Sequence, residues 1–330
     1  MTGYNSLLAQ FSPHKAVLVF LTDFKLTEKH TNTLLSSASR YSTVVFNIDF
    51  DYSKVLELLC CLKKQKKTAV FVCYFLKHAS IIKGHSLLET NNNYSFARVE
   101  LPIIDFSPSL EQIFYIHHVI DRSDYQRQSI TAKRLFRYLQ ESVPYSITIK
   151  TTGELTINDR IPLFELYGPL GKGEHRILPG GEVAYTGSSI NGTFTINGAL
   201  LATPLHPRGH DLAQRITTLS KHIPNDPITL MIKNGIIHHW TSVGGLHRQI
   251  TTILNSRLYY RITEVGFSFN FAVKQFIHNW PASSNEGHPG VHVAIGGDPD
   301  PDEKNVHKEL IHVDFMSTNT SVKINNNIFS

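Results

Sequence analysis

The chain has 330 residues and a formal net charge of +5, and 41% of its residues are hydrophobic. A chain of this length can form two domains, and the composition is that of a soluble globular protein. No apolar run approaches the roughly 20 residues of a membrane-spanning helix, so we expect no membrane partner. The charge excess is mild, and its one basic cluster, residues 63–67, ends a predicted helix without an aromatic platform. We therefore expect no nucleic-acid partner.

The N-terminus and the cysteines bear on the cellular compartment. The first residues lack a basic region before a hydrophobic core, so we expect no secretory signal. The three cysteines, Cys60, Cys61 and Cys73, cannot form a disulfide framework. Cys60 and Cys61 lie in an apolar helical run, which predicts reduced thiols in the core. Together these features predict a cytoplasmic location.

Short apolar runs alternate with helical patterns in the first half of the chain. The runs cover residues 16–21, 43–49, 68–74 and 102–106. The helical patterns between them cover residues 28–39 and 52–64. This alternation is typical of a parallel sheet with helices packed on it. No glycine-rich phosphate loop follows any of these runs, so the pattern does not favour a nucleotide site.

The pattern changes from helices to strands near Pro144. One helix is predicted to begin at Ser109 and a second to cover residues 125–142. The predicted fold class is α/β, in two domains. Residues 1–144 form an N-terminal α/β domain with a mostly parallel sheet, and residues 145–330 form a β-rich, α+β, metal-binding domain.

The second half of the chain reads as a series of strands. Residues 146–150 and 154–158 alternate around Thr152 and Gly153, which predicts a hairpin. Further strands are predicted at residues 192–196, 199–202, 228–233, 236–240 and 261–270, with a helix at residues 245–256. Asn234-Gly235 is typical of the two-residue type I′ hairpin turn. This half is therefore predicted to be rich in antiparallel pairs.

Acids and imidazoles that suit a metal ion recur within these apolar strands. His312 and Asp314 are two residues apart, so their side chains share one face of a strand. Nitrogen and oxygen ligands of this kind bind zinc, iron, manganese or cobalt. The residues that we single out are Glu182, Glu264, Glu286, His292, His312 and Asp314. Taken alone, His312 and Asp314 could form a structural hydrogen-bonded pair, and each acid could be an ion-pair partner. Their occurrence together in one β-rich half favours a metal site, because buried acids without partners are costly.

Five segments occur in the order found in a family of metallopeptidases. They are residues 178–183 (LPGGEV), 228–237 (ITLMIKNGII), 263–270 (TEVGFSFN), 290–296 (GVHVAIG) and 311–315 (IHVDF). Across residues 146–316 the chain resembles aminopeptidases T and S, whose catalytic domain carries two metal ions. The resemblance implies that Glu182, Glu264, His292, His312 and Asp314 are metal ligands. Two departures are visible: Glu286 is followed by Gly287 instead of lysine, and no tyrosine follows Gly297 in the loop DPDPDE.

The resemblance implies a metal-dependent, aminopeptidase-like hydrolase that acts on a peptide or small amide with metal-activated water as nucleophile. The metal would be zinc, cobalt or manganese. Glu286 is the candidate general base, and His288 a candidate acid/base or replacement ligand. The expected partners are a peptide or small-molecule substrate and, in a homodimer, a second copy of the chain.

Two other functions remain open at this stage. The chain is also similar to 2,5-dihydroxypyridine dioxygenases, which hold one non-haem iron by two histidines and a carboxylate. His292, His312 and Asp314 could form such a ferrous site, although Glu182 and Glu264 would then have no role. Alternatively, the chain has lost hydrolysis and binds or modifies a peptide, as the missing tyrosine suggests.

Overall fold

The computed structural model describes residues 3–75, 94–100, 110–141, 147–158, 161–166, 168–169, 175–186, 189–205, 207–255, 260–277, 285–297, 310–318, 320–324 and 327–329. The chain divides into two compact units. The first consists of Met1–Ile130 and Leu166–Gly181, and the second of Thr131–Glu165 and Glu182–Ser330. The domain boundary between residues 144 and 145 stays a prediction. Within the described ranges, no helix is long and apolar enough to cross a membrane.

Helices and strands alternate in the first unit, and strands dominate the second. The helices are α1 (Gly3–Leu7), α2 (Glu28–Ser36), α3 (Tyr52–Lys64), α4 (Leu110–Arg122), α5 (Tyr125–Glu141), α6 (His210–Ser220) and α7 (Leu246–Ile253), with a short 3-10 turn at Pro207–Gly209. The first nine strands are β1 (Ala16–Thr22), β2 (Ser42–Asn47), β3 (Thr68–Phe75), β4 (Tyr94–Glu100), β5 (Ile147–Lys150), β6 (Glu154–Ile157), β7 (Ile161–Leu166), β8 (His175–Leu178) and β9 (Glu182–Thr186). The other nine are β10 (Ile190–Ile196), β11 (Leu200–Pro204), β12 (Ile228–Lys233), β13 (Ile236–Thr241), β14 (Ile262–Ser268), β15 (Gly290–Ile295), β16 (Ile311–Ser317), β17 (Ser321–Ile324) and β18 (Asn327–Phe329).

The first unit contains a five-stranded sheet in the order β2-β1-β3-β4-β8. Every neighbouring pair in it is parallel. All seven residues of β1 are buried, as expected for a central strand covered on both faces. The α/β fold class predicted from the sequence is thereby confirmed.

Helix α3 packs on this sheet through one stripe of residues. Val55, Leu59 and Leu62 are buried against the strand residues of the same core cluster. Each fully buried aliphatic side chain of this kind contributes about 1.5–3 kcal/mol. Because the stripe occupies the inner face, Cys60 and Cys61 project from the helix and are exposed. None of the three cysteines forms a disulfide bond, but the prediction that Cys60 and Cys61 lie in the core is wrong.

A buried polar group lies in the first unit. The hydroxyl oxygens of Tyr4 and Tyr74 are 2.7 Å apart, and each lies 3.0 Å from Nδ1 of His117. Nε2 of His117 lies 2.9 Å from the hydroxyl of Ser37. Burial, with a smaller effect of His118, lowers the pKa of His117 to about 3. His117 is therefore neutral at physiological pH.

The second unit contains a seven-stranded and a six-stranded sheet. The order of the larger sheet is β13-β12-β10-β6-β5-β17-β18, and all its pairs are antiparallel. Asn234 and Gly235 join β12 and β13 with φ angles of 50° and 71°. Both values lie in the left-handed region that a type I′ turn requires, so the predicted hairpin is confirmed. The predicted hairpin of β5 and β6 is also present.

The six-stranded sheet carries the candidate metal ligands. Its order is β11-β16-β15-β14-β9-β7, and the pairs from β11 to β9 are antiparallel. The sequence pattern did not identify the helices α1 and α6 or the strands β4, β7, β8, β17 and β18. The strand predicted at residues 102–106 lies outside the described residues.

Candidate metal centre

Four neighbouring strands place their ligand side chains on one face of the six-stranded sheet. His292 of β15 pairs with Gly266 of β14, and Gly266 also pairs with Ala184 of β9. Residues two apart along a strand share a face, so Glu182 and Glu264 lie on the same side as His292. The pairing of Ala294 with Asp314 brings β16 onto this face as well. Register alone therefore gathers side chains that are up to 132 positions apart in the sequence.

The first ligand group consists of Glu182, Glu264 and His292. Their ligand atoms all lie within 4.8 Å of one another. Nε2 of His292 lies 2.9 Å from Oε1 of Glu182 and 3.4 Å from Oε1 of Glu264. Glu182 and His292 are 0% exposed. This group is thus a fully enclosed set of one imidazole and two carboxylates.

The second ligand group consists of Glu264, His312 and Asp314, whose ligand atoms also lie within 4.8 Å of one another. Nε2 of His312 lies 3.1 Å from Oδ1 of Asp314 and 3.5 Å from Oε2 of Glu264. The side chain of His312 is 19% exposed, whereas that of Asp314 is 0% exposed. His312 therefore marks the side from which solvent reaches the group.

Glu264 belongs to both groups and contributes a different oxygen to each. Its Oε1 faces His292, and its Oε2 faces His312. The remaining short approach between the two groups is 3.9 Å, from Nε2 of His292 to Oδ1 of Asp314. A carboxylate in this position can bridge two cations.

A backbone carbonyl fixes the orientation of His312. Nδ1 of His312 lies 2.8 Å from the carbonyl oxygen of Gly296, which can only accept, so Nδ1–H donates this bond. Gly296 and Gly297 have φ angles of 74° and 80°, a conformation that favours glycine and turns the chain at the end of β15. The other ring nitrogen, Nε2, is thereby directed to the two carboxylates. Metal-binding histidines are commonly held in this way.

The charges of the group perturb its titration. Burial lowers the pKa of His312, but Asp314 and Glu264 outweigh this effect, and the pKa rises to about 10. Burial likewise lowers the pKa of His292, and the carboxylates of Glu182, Glu264 and Asp314 reverse the effect and raise it well above the usual range. Burial raises the pKa of Glu182 to about 7, against the opposing effect of His292. In the metal-free protein, protons on the imidazoles balance the carboxylates, and a bound cation would replace them.

Several buried polar atoms of the cluster have no hydrogen-bond partner among the described residues. They are Oε2 of Glu182, Oδ2 of Asp314 and Nδ1 of His292. Buried polar atoms are nearly always hydrogen-bonded, so such a concentration calls for a ligand or ion. Two imidazoles and three carboxylates are a donor set suited to zinc, manganese, cobalt or iron. The residues present therefore fit a metal centre.

The two proposed catalytic residues, Glu286 and His288, lie in one turn. Burial, followed by the carboxylates of Glu182, Asp314 and Glu264, raises the pKa of Glu286 well above its usual range. Glu286 is thus within electrostatic reach of the cluster but belongs to neither ligand group. His288 stacks on Phe276 with ring centroids 4.2 Å apart, and its Nδ1 lies 3.1 Å from the carbonyl oxygen of Pro289.

Sequence reasoning missed Gly266, although it lies at the centre of the site. The ring of His292 lies directly against its Cα, in the space that a side chain would fill. The signal was present, because a glycine inside an apolar strand often marks a close approach of another group.

Comparison with known proteins gives a partial family match and two structural neighbours. The sequence profile of the family described as crocagin biosynthetic protein CgnE/B matches residues 177–325, which include both ligand groups but less than half of the chain. No curated protein matches the sequence.

Among solved structures, the chain is similar to 2,5-dihydroxypyridine dioxygenase from Pseudomonas putida KT2440. The two share 12% identity at a TM-score of 0.54, over 96% of this chain and 90% of that chain. A second neighbour is AmpT from Thermus thermophilus, with 11% identity and a TM-score of 0.46, over 96% of this chain and 91% of that chain. At such identities the likeness to the dioxygenase concerns the fold.

Proposed function

We propose that this chain is a metal-dependent hydrolase that cleaves a peptide or small amide with two divalent ions. The observation that carries the proposal is the position of Glu264. Its two oxygens lie 3.4 Å and 3.5 Å from the Nε2 atoms of two different histidines, His292 and His312. A shared carboxylate between two ligand groups is the arrangement of two-ion hydrolytic sites, in which the ions lie about 3.5–4 Å apart. Zinc, cobalt and manganese suit this mixture of nitrogen and oxygen ligands.

Divalent ions held here would polarise the scissile carbonyl and acidify water. Glu286 interacts electrostatically with the carboxylates of Glu182, Asp314 and Glu264 and belongs to neither ligand group, so we assign the proton transfer to it. With divalent ions bound, whose charge favours the ionised carboxylate, Glu286 would accept a proton from the attacking water and return it to the leaving amine. His312 is the most exposed of the five ligands, and the substrate would approach from its side. Glu182 and Asp314 are 0% exposed, so bulk water would not reach the ions past these two carboxylates.

The match to crocagin biosynthetic proteins supports a biosynthetic role for this site. The matched residues 177–325 contain all five ligands and Glu286. Under this proposal the substrate is a peptide or amide intermediate, and the reaction is cleavage of one amide bond.

A second candidate is an oxygenase with one ferrous ion held by His292, His312 and Asp314. The likeness of fold to the dioxygenase, at a TM-score of 0.54, supports it. In the described part of the chain, however, each group of ligand atoms within 4.8 Å contains only one imidazole. Since a two-histidine triad needs both imidazoles on one ion, the geometry favours two positions.

The test compares metal content with turnover of the full-length protein. The protein is stripped with a chelator, reloaded separately with zinc, manganese, cobalt or anaerobic ferrous iron, and analysed by plasma mass spectrometry. Peptide cleavage and oxygen uptake are then measured on the same samples. Glu286→Gln should keep both ions and lose cleavage, and Glu57→Gln, exposed on α3, should change neither.

Two ions per chain with amide cleavage is the expected result. One iron with oxygen consumption would replace the hydrolase by the oxygenase. Two ions with a tightly bound but intact peptide would show a binding protein that has lost hydrolysis. A protein that retains no metal under any loading condition would overturn all three functions.

A further inference from the structure

Gly266 occupies a place in β14 where the site leaves no room for a side chain. A Cβ atom built there would overlap Cε1 and Nε2 of the His292 ring and would lie 2.5 Å from Oε1 of Glu182. Non-bonded heavy atoms essentially never come within 3.0 Å of a Cβ atom in real structures. The close approach of His292 to Glu182 therefore depends on the absence of a side chain at Gly266.

The need for glycine at this position comes from space and not from the backbone. Gly266 is absent from the glycines with positive φ, unlike Gly290, Gly296 and Gly297. An L-residue can therefore adopt its backbone conformation without strain. Alanine at position 266 should keep β14 in its sheet, but its methyl group should overlap the imidazole ring of His292.

The imidazole has little freedom to yield within the sheet. His292 is 0% exposed, and its strand neighbours Val291 and Val293 are 1% and 0% exposed. Dense packing of this kind resists a shift of the strand. The ring must then turn away from Glu182 and Glu264, which separates the ligand atoms of the first group.

The second ligand group lies to one side of this contact. The three atoms nearest to the built Cβ belong to His292 and Glu182, which are members of the first group only. His312 is held independently by the carbonyl of Gly296. The geometry thus allows one group to be disrupted while the other keeps its ligands.

We infer that Gly266 is a positioning residue that creates the first ion position, and that the two positions are separable at this residue. Gly266→Ala abolishes binding at Glu182, Glu264 and His292, and leaves binding at Glu264, His312 and Asp314. The inference rests on the proposed two-ion site, but it concerns the division of that site. Gly266→Ala is expected to convert a protein that binds two ions into one that binds a single ion, without changing any ligand residue.

The experiment counts bound ions on the full-length protein. Wild type and Gly266→Ala are loaded with cobalt or zinc, and stoichiometry is measured by plasma mass spectrometry and calorimetry. We expect two ions in wild type and one in Gly266→Ala, with the affinity of the remaining ion changed by less than tenfold. The cobalt absorption spectrum gives a second readout, because loss of one position should halve the ligand-field intensity.

Two further variants separate positioning from general damage. Val265→Ala removes a buried side chain from the opposite face of the same strand and should keep two ions despite a lower Tm. Gly266→Ala combined with His292→Ala removes the ring that the methyl group meets. The double variant should melt no lower than Gly266→Ala and should also bind one ion.

The outcomes distinguish the inference from the proposed function. A wild type that binds one ion or none overturns the two-ion proposal. Two ions in wild type and two or none in Gly266→Ala overturn the inference alone. If Gly266→Ala does not fold, a double variant that folds supports the inference, because removal of the His292 ring relieves its overlap with the methyl group. A double variant that also fails to fold, or that binds two ions, overturns it, because the contact with His292 would then not be the reason for glycine.

Discussion

Replacing Glu264 by glutamine tests whether one carboxylate serves both ion positions. The amide keeps the shape of the side chain but removes its charge and turns one oxygen into an NH2 group. The oxygens of Glu264 lie 3.4 Å from Nε2 of His292 and 3.5 Å from Nε2 of His312. An NH2 group at one place cannot bind a cation, and the amide oxygen that remains at the other place carries no charge. We therefore expect Glu264→Gln to weaken both ions.

The size of the effect follows from ligand chemistry. Loss of an outer-sphere partner already lowers metal affinity about 10–100-fold, so losing a direct ligand at one position, or the charge of that ligand at the other, should cost at least about tenfold. A tenfold change is about 1.4 kcal/mol. At a metal concentration near 1,000 times Kd, one bound ion stabilises the fold by about 4.1 kcal/mol. When the affinity is tenfold weaker at the same metal concentration, this stabilisation falls to about 2.7 kcal/mol. With a shift of about 2–4 °C per kcal/mol, the metal-induced rise in Tm should shrink by about 3–6 °C for each ion.

Calorimetric titration of the stripped protein measures the two affinities, and melting with and without metal measures the coupled stability. Glu57→Gln makes the same chemical change on an exposed face of α3 and should alter neither quantity. The idea of a shared ligand fails if Glu264→Gln weakens only one ion. It also fails if both affinities stay within a factor of two of wild type.

Two further predictions concern single histidines. His312→Ala should lower the stoichiometry from two ions to one, because the group of Glu264, His312 and Asp314 then loses its one nitrogen ligand. Exposed His239→Ala is the control, and unchanged metal content in His312→Ala, with only the loss of about 1–3 kcal/mol of a hydrogen-bonded pair, would contradict the assignment. His117 has a pKa of about 3 in the folded protein, so it stays neutral down to that pH. In the unfolded chain the same imidazole takes up a proton below about pH 6.5. The contribution of neutral His117 to the free energy of unfolding is complete above about pH 6.5. It is lost as the pH falls towards 3, by up to about 1.4 kcal/mol per pH unit. Urea unfolding between pH 7 and pH 4 measures how the free energy of unfolding depends on pH. This dependence should be weaker for His117→Gln than for wild type, and equal pH dependences would refute this account.

The organisation of the fold was readable where a local pattern had one physical meaning. Continuous apolar runs such as β1 are explained by burial on both faces of a parallel sheet. The Asn234-Gly235 pair specified its turn because both residues must adopt positive φ. Where the pattern had two meanings, the prediction was wrong. An apolar helical run did not reveal that Cys60 and Cys61 face away from the core, because the buried stripe is decided by what α3 packs against.

The amino-acid sequence by itself determined which side chains could serve as ligands. His312 and Asp314 had to share a face, because residues two apart in a strand always do. The tertiary structure alone decided that Glu264 belongs to two groups and that Gly266 must lack a side chain. Those properties depend on the register between β9, β14, β15 and β16, strands separated by long stretches of sequence. Since register is set by pairing between distant segments, no local periodicity could show which acid would stand between the two imidazoles.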